Sequence, residues 1–486
     1  MLFAALTVMS SSAQQSSDAR SSFEDFRKGL LNNYNSFREG ILADYAKFLD
    51  GVWVEYSGFK GVERDETPKP VTPPAVEPVG TTDPKVELTP KEAPATPEKT
   101  QETPVTNPVA DVPAKTPATT ASDDKFGFDF HGLIMEVPQI EIRLMESVSR
   151  PADFANQWRA LDSNDESKKL VSEIEALAKK HNFNDYLTYD LATAYTTARY
   201  PKSSPASRTS LVHYIMTHLG YDARLSVSDQ GQALLLLPTV QTLYSRTFLN
   251  INNSKYYVFT DPAVKLSPSD MSFYTCDLPA AASQASKFDM RIKPLNIPYE
   301  PHPYNISYGG LEIKGETNAK LYPLLYKYPQ TSMGAYADSE VMPDVRRDIV
   351  AQLKKQLEGK DKAEAVDQLL QFVQSGFEYA TDQQLHGFEK PYFFEEILFY
   401  PQCDCEDRAI FYTYLVWNVL GVESHLLMYP GHESASVSLP GRSTGDAYRY
   451  DGQTFLISDP TYIGSKTGMC MPNYKTTTPE IDYVYK

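Results

Sequence analysis

From about Asp65 to Lys125 the chain changes character, and this one stretch decides what the remainder can fold into. It holds more than a third of the chain's 35 prolines, mixed with Thr, Glu, Lys, Ala and Val, and no aromatic residue appears until Phe126. Such a composition buries too little apolar surface to offset the entropy of ordering, so an extended, disordered linker is expected over 65–125. Its Thr-Pro richness also permits glycosylation. The 486 residues are thereby divided into a short N-terminal piece and a body that starts at Phe126. Hydrophobic residues are 41% of the chain, enough for that body to fold, and its length calls for more than one hydrophobic core.

Charge narrows the partners. A formal net charge of −17 and a pI near 5.0 argue against a nucleic-acid partner, which needs a basic surface. No P-loop or dinucleotide fingerprint is present, so no cofactor is expected. The eight histidines are scattered, and no His-Glu-x-x-His or Cys-x-x-Cys pair points to a metal. Four cysteines (Cys276, Cys403, Cys405 and Cys470) are too few for a disulfide-built scaffold of this size. At least one is expected to be there for reactivity, and the redox state of the others stays open.

The first residues read as a secretion signal over 1–13. Leu2 to Met9 is a short apolar run, too short to span a bilayer, and Ser11-Ser12-Ala13 resembles a cleavage site. No Lys or Arg precedes it, which leaves open a start upstream of Met1. No other stretch is apolar enough to cross a membrane, so an exported protein, periplasmic or extracellular, is expected. Over 18–60, Phe23, Phe26, Leu30, Tyr34, Phe37, Ile41, Tyr45, Phe48, Val52 and Tyr56 recur at steps of three or four. That spacing predicts an amphipathic helix, with Ser21 and Glu24 as its capping box and a bend at Gly40. It either packs on the body or docks a partner through residues 23–56.

The body contains an apparent repeat. An amphipathic helix around Ser203 to Leu225, ending in His218-Leu219-Gly220, is followed by the apolar strand Ala233 to Leu237 and by Lys255 to Phe259 with Thr260-Asp261-Pro262. About 200 residues later the same series returns: a helix ending in Val419-Leu420-Gly421, then Gly431-His432 opening a strand, then Thr454 to Ile457 with Ser458-Asp459-Pro460. Two related domains are therefore expected, at 126–265 and 343–486. The connector, 266–342, is rich in Pro and Tyr with some β structure. Asp344 to Phe377 has helical periodicity.

The second copy carries the chemistry. Asp404 is a good N-cap, and Glu406 with Asp407 put the sign that the helix dipole favours into the first turn of the apolar run Ile410 to Trp417. Cys405 then sits where free backbone N–H groups and the dipole favour a thiolate and can hold an oxyanion. The nearby carboxylates oppose that charge, so a cationic partner is needed. His432, at the opening of a predicted strand, is the candidate base. Asp459, at the end of the following apolar strand, can fix the imidazole tautomer as third member of a Cys-His-Asp relay. The gaps from Cys405 to His432 and from His432 to Asp459 are equal, each long enough to pass from a helix to a strand or between strands. Gln402 is a weak candidate for the oxyanion hole, and Glu433 and Tyr462 for shaping the substrate cleft. Cys403 pairing with Cys405 is disfavoured by ring strain. In the first copy Ser204 aligns with Cys405 and Gln232 with His432, and only Asp261 keeps its counterpart. That copy is expected to be degenerate.

Cys405-Glu406-Asp407-Arg408-Ala409 at a helix start, Gly431-His432 on a strand and Asp459-Pro460-Thr461 on the next resemble the transglutaminase-like superfamily over about Ala363 to Tyr474. The resemblance implies an α+β, papain-like domain with the cysteine helix packed on an antiparallel sheet, and Cys405 rather than Cys403 as nucleophile. It departs in Glu433-Ser434 after the histidine, where the family often has an aromatic residue. It implies a cysteine-dependent hydrolase acting on a protein or peptide through a thioester, without calcium. A cross-linking acyltransferase, and a non-catalytic surface or periplasmic scaffold, stay open.

Overall fold

The computed structural model describes residues 40, 42, 44–61, 121–122, 124–266, 272–276, 286–400, 402–439, 441–442 and 444–486. The signal segment, most of the predicted amphipathic helix and nearly all of the predicted linker lie outside them. Among the described residues no helix is long and apolar enough to cross a membrane.

The chain is a mixed α+β protein with antiparallel sheets. Residues 44–49 form a helical segment, α1, which gives way to strand β1, Trp53–Ser57. The predicted helix therefore stops at Asp50 instead of running on to Tyr56. Gly51 breaks the period, and the β-branched and aromatic residues Val52, Trp53, Val54 and Tyr56 suit a pleated edge better than a helix. Three short strands follow: β2 Ala121–Ser122, β3 Lys125–Phe130 and β4 Leu133–Pro138. The predicted linker thus yields to ordered chain a few residues earlier than Phe126.

Four helices come next: α2 Pro151–Asp162, α3 Asp165–His181, α4 Asp185–Arg199 and α5 Pro205–His218. They lead into β5 Arg224–Ser228, β6 Ala233–Pro238, β7 Phe248–Ile251, β8 Ser254–Phe259 and β9 Ser272–Cys276. The sheet runs β1-β9-β5-β6-β8-β7. It draws β1 and β9 from outside the predicted 126–265: β9 covers the edge of β5, and β1 covers the edge of β9.

The connector is a hairpin, β10 Pro301–Tyr308 and β11 Leu311–Asn318, followed by the short helices α6 Leu321–Leu325 and α7 Met333–Ala337. Gly309 and Gly310 have φ of 59° and 83°, the left-handed pair that a two-residue hairpin turn demands. Helices α8, Pro343–Gln356, and α9, Lys362–Gly376, then pack beside the hairpin. Gln352 and Gln356 each make two hydrogen bonds of 2.7–3.0 Å to the β11 backbone at Lys314 and Glu312. Side-chain amides thus stand in for a missing strand and blunt that edge.

The last part comprises β12 Glu378–Tyr379, α10 Asp382–Leu385, β13 Gln402–Cys403, α11 Cys405–Leu420, β14 Ser424–Tyr429, β15 His432–Val437, β16 Ala447–Tyr450, β17 Gln453–Ile457 and β18 Glu480–Tyr485. Its sheet runs β16-β17-β15-β14-β18. Read from the other end this is β18-β14-β15-β17-β16, the order of the first sheet without β1. In each half a buried helix, α5 or α11, packs on the central strand, β6 or β15. The helix α11 is buried almost all round and ends at Gly421 with φ 60°, a C-cap that leaves the helix without strain. Ala409, Ile410, Leu426 and Tyr485 of the second half join Leu324, Tyr336 and the first-half residues in a single core.

The short N-terminal segment belongs to that core. Tyr45 is 2% exposed and its hydroxyl meets His213 Nε2 at 2.9 Å, while Trp53 stacks on Phe154. Burial holds the His213 pKa down to about 3 against 6.5 for a free imidazole. The unfolded chain therefore takes up this proton first, and stability is full above about pH 6.5 and falls as the pH drops toward 3. Between pH 7 and about pH 5 the parent is expected to lose about 2 kcal/mol more than a His213→Gln variant, read from urea midpoints.

Candidate functional site

The site forms where α11 meets β15 and β17. Tyr379 and Cys403 pair in the short parallel ladder of β12 and β13, which holds the chain extended up to Asp404. The helix then starts at Cys405 with Asp404 as N-cap, and the Asp404 N–H donates to Asp407 Oδ2 at 3.1 Å, the returning half of a capping box. Cys405 occupies the first helical position and is fully buried. Its thiol donates to Glu406 Oε2 at 3.2 Å.

His432 opens β15 after the Pro430-Gly431 turn, and its Nε2 lies 2.8 Å from Asp459 Oδ2. Both residues are 2% exposed. Asp459 Oδ1 accepts from the backbone N–H of Thr461 at 2.9 Å and of Tyr462 at 3.3 Å, so the carboxylate is held on both oxygens. Among the described residues the imidazole Nδ1 has no hydrogen-bond partner. With Nε2 committed to Asp459, Nδ1 is the nitrogen left to exchange a proton with a thiol. Tyr474 stacks on the imidazole at 5.3 Å and 13°, and its hydroxyl donates to the Pro430 carbonyl, so this ring covers the site.

The other cysteines are in different states. Cys403 is buried beside the Arg408 guanidinium (Nε to Sγ 3.5 Å), yet burial still pushes its thiol up to about 12. Burial pushes Cys470 up to about 11. Thiols at such values stay protonated and unreactive near neutral pH. None of the four cysteines is in a disulfide among the described residues.

The three secondary candidates separate. Gln402 spends its amide on Glu378 (3.3 Å). Glu433 follows His432 directly in β15, so the two side chains point to opposite faces of the sheet. Tyr462 acts on Asp459 through its backbone N–H, and its ring is buried. In the first half, Ser204 is the N-cap of α5 and Pro205 its first residue, so Pro205, not Ser204, stands at the position equivalent to Cys405. The helix start, and not the nearest hydroxyl, sets the alignment. By the same rule Arg208 and Arg408 each stand fourth in their helices, whereas β15 starts at His432 and β6 at Ala233, one residue past Gln232.

Two features escaped the sequence reading. Gln374 on α9 is 1% exposed, and its Nε2 donates to the carbonyls of Asp459 (2.9 Å) and Tyr462 (2.8 Å) and to Ser465 Oγ (3.0 Å). Its Oε1 accepts from the Gly464 N–H at 3.0 Å. One amide thus clamps the turn that carries Asp459, and a lone glutamine among apolar helix residues gives no signal for that. Gln374→Leu is expected to cost about 2–3 kcal/mol in urea unfolding, since several buried carbonyls lose their donor together. The second is an acidic cluster around the thiol. Asp382, Asp404, Glu406 and Asp407 are all buried, and burial with Asp404 and Glu406 nearby raises the Asp407 carboxyl well above its usual range. Oxygens of Asp382, Glu389 and Glu406 lie within 4.8 Å of one another, as do ligand atoms of Asp404, Cys405 and Glu406. These oxygen-rich groups have the chemistry to hold a hard cation.

Set against known protein families, curated protein sequences and solved structures, the chain gives no significant match.

Proposed function

We propose that this is an exported cysteine-dependent amide or peptide hydrolase, a distant transglutaminase-like protein with Cys405, His432 and Asp459 as its triad. The observation that carries the reading is the His432–Asp459 pair at 2.8 Å, buried against the helix whose first residue is Cys405, with the imidazole's other nitrogen unbonded. In the reaction the thiol gives its proton to His432, the sulfur attacks the carbonyl carbon, and backbone N–H groups at the start of α11 hold the oxyanion. The imidazolium protonates the leaving amine as the C–N bond breaks. Water, deprotonated by His432, then attacks the thioester and releases the acid.

The matching strand orders of the two sheets support a duplicated, papain-like domain. In the first copy Asp261 is gripped by Arg208 through two contacts of 2.7 Å, so its carboxylate has no imidazole to orient. Pro205 replaces the nucleophile, and that copy serves packing or substrate binding.

The test is release of fluorescent fragments from a dye-quenched protein, run with parent and Cys405→Ala, with and without a dansylated primary amine. Release that disappears in the variant supports hydrolysis. Cysteine-dependent incorporation of the amine, without release, moves the reading to a cross-linking acyltransferase. Equal traces from both proteins would overturn catalysis at Cys405 and leave the scaffold.

A further inference from the structure

Between the two halves lies a cleft of about 780 Å³ whose lining no part of the triad supplies. One wall belongs to the first half and the connector: Tyr244, Ser245, Arg246 and Thr260 face Lys327, Tyr328 and Gln330. These two strips are stitched together by backbone, since the Tyr244 N–H donates to the Gln330 carbonyl at 3.0 Å and Leu243 bridges Thr331. The other wall is α10 and the segment after it, with Gln383, Phe388 and Glu389.

Among the described residues the first wall carries one buried donor without an acceptor and two cations outside any ion pair. Gln330 is 8% exposed, and among the described residues its Nε2 has no hydrogen-bond partner. A buried amide without an acceptor is unfavourable, and an acceptor brought by a ligand would relieve it. Lys327 is exposed and enters no ion pair among the described residues. Arg246 is held in place by the Val258 carbonyl at 3.1 Å and by the Phe259 ring at 4.3 Å, with no carboxylate beside it among the described residues. Two cations and an unused donor converge on one wall of a chain whose net charge is −17. The other wall leads to the nucleophile: a Glu389 oxygen is within 4.8 Å of a Glu406 oxygen, and Glu406 Oε2 is 3.2 Å from Cys405 Sγ.

We propose that this cleft binds a peptide segment carrying a carboxylate, which Lys327, Arg246 and Gln330 take up while the chain runs past Phe388 toward Cys405. Binding itself is independent of catalysis; only the delivery to Cys405 rests on the hydrolase reading. An acidic side chain and a free C-terminus offer the same carboxylate chemistry. The volume suits a few residues of extended peptide, and the exposed Phe388 ring supplies an apolar contact beside the charged end.

The test uses the full chain and three dansylated five-residue peptides. One carries a glutamate and an amidated C-terminus, the second has glutamine in its place, and the third is the glutamine peptide with a free C-terminal carboxylate. Fluorescence anisotropy is expected to show one of the charged peptides binding at least tenfold tighter than the neutral one. Which of them does so assigns the carboxylate to a side chain or to a chain end. The preference is expected to vanish in Lys327→Ala, whose exposed side chain leaves the fold alone, and to weaken in Gln330→Leu. Bound peptide is also expected to slow iodoacetamide labelling of Cys405 several-fold. Equal binding of all three peptides, or a preference that survives Lys327→Ala, overturns the site. A preference that needs Lys327 but leaves labelling unchanged overturns the path to Cys405. If the preference stands while Cys405 proves to be an ordinary thiol, the hydrolase reading falls and the peptide site remains.

Discussion

Replacing His432 by alanine is expected to lower the rate of iodoacetamide labelling at Cys405 by about two orders of magnitude at about pH 6. A free thiol has a pKa near 8.5, so at that pH less than about 1% of it is thiolate, whereas a Cys–His ion pair is almost wholly so. The geometry provides for the pair: Asp459 takes Nε2 and stabilises a charged ring, and Nδ1 is unbonded. Against it stands Glu406, which accepts from the thiol at 3.2 Å and would be repelled by a thiolate. The experiment measures which of these wins. Cys405 is fully buried and Tyr474 stacks on His432, so access as well as thiolate content limits the labelling rate. The comparison is therefore made in the Tyr474→Ala background as well, where the ratio should persist at higher absolute rates. Cys403 and Cys470, with thiols pushed up to about 12 and about 11, should label slowly in every variant and act as internal standards. Slow labelling of Cys405 that is the same with and without His432, rising only toward pH 8–9, would remove the case for a nucleophile.

What the sequence made legible follows the range of the interactions. The helix at Cys405 was readable because its start is local: Asp404, Glu406 and Asp407 are capping and dipole residues, and the apolar run behind them sets the period. The strands ending at Asp261 and Asp459 were readable as short apolar runs closed by Asp-Pro. The register that sets His432 against Tyr429, and so beside the cover formed by Tyr474, depends on a two-residue turn and a distant segment. The Gln374 clamp and the carboxylates at 382, 389 and 406 depend on contacts between elements far apart in the chain, which composition does not encode. The residues 53–57 show the opposite failure. Their spacing fits a helix as well as a strand, and the open edge of β9 decided the matter. Ser204 aligned with Cys405 through the spacing of the apparent repeat, whereas α5 starts one residue later, at Pro205, as α11 starts at Cys405.

The largest stability effect is expected at Arg208→Ala in the first half. Arg208 and Asp261 have side chains only 6% and 3% exposed, joined by Nε and Nη2 at 2.7 Å each. The guanidinium also donates from Nη1 to the Ser203 carbonyl at 2.7 Å, tying the start of α5 to the end of β8. Removing the arginine leaves a buried carboxylate with no cation, and such a loss costs about 3–5 kcal/mol. Urea unfolding should show it as a fall in midpoint with little change in slope. Replacing both partners, as Arg208→Met with Asp261→Leu, should recover most of the loss, because no charge is then stranded. The same comparison bears on the degenerate-copy reading. Where the second half spends Asp459 on an imidazole, the first spends Asp261 on a structural arginine. Restoring Gln232→His alone should therefore create no reactive centre, and the variant should keep the parent's stability to within about 1 kcal/mol. A loss below about 1 kcal/mol for Arg208→Ala would mean that solvent or another group already compensates Asp261, and the structural role argued for this copy would fail with it.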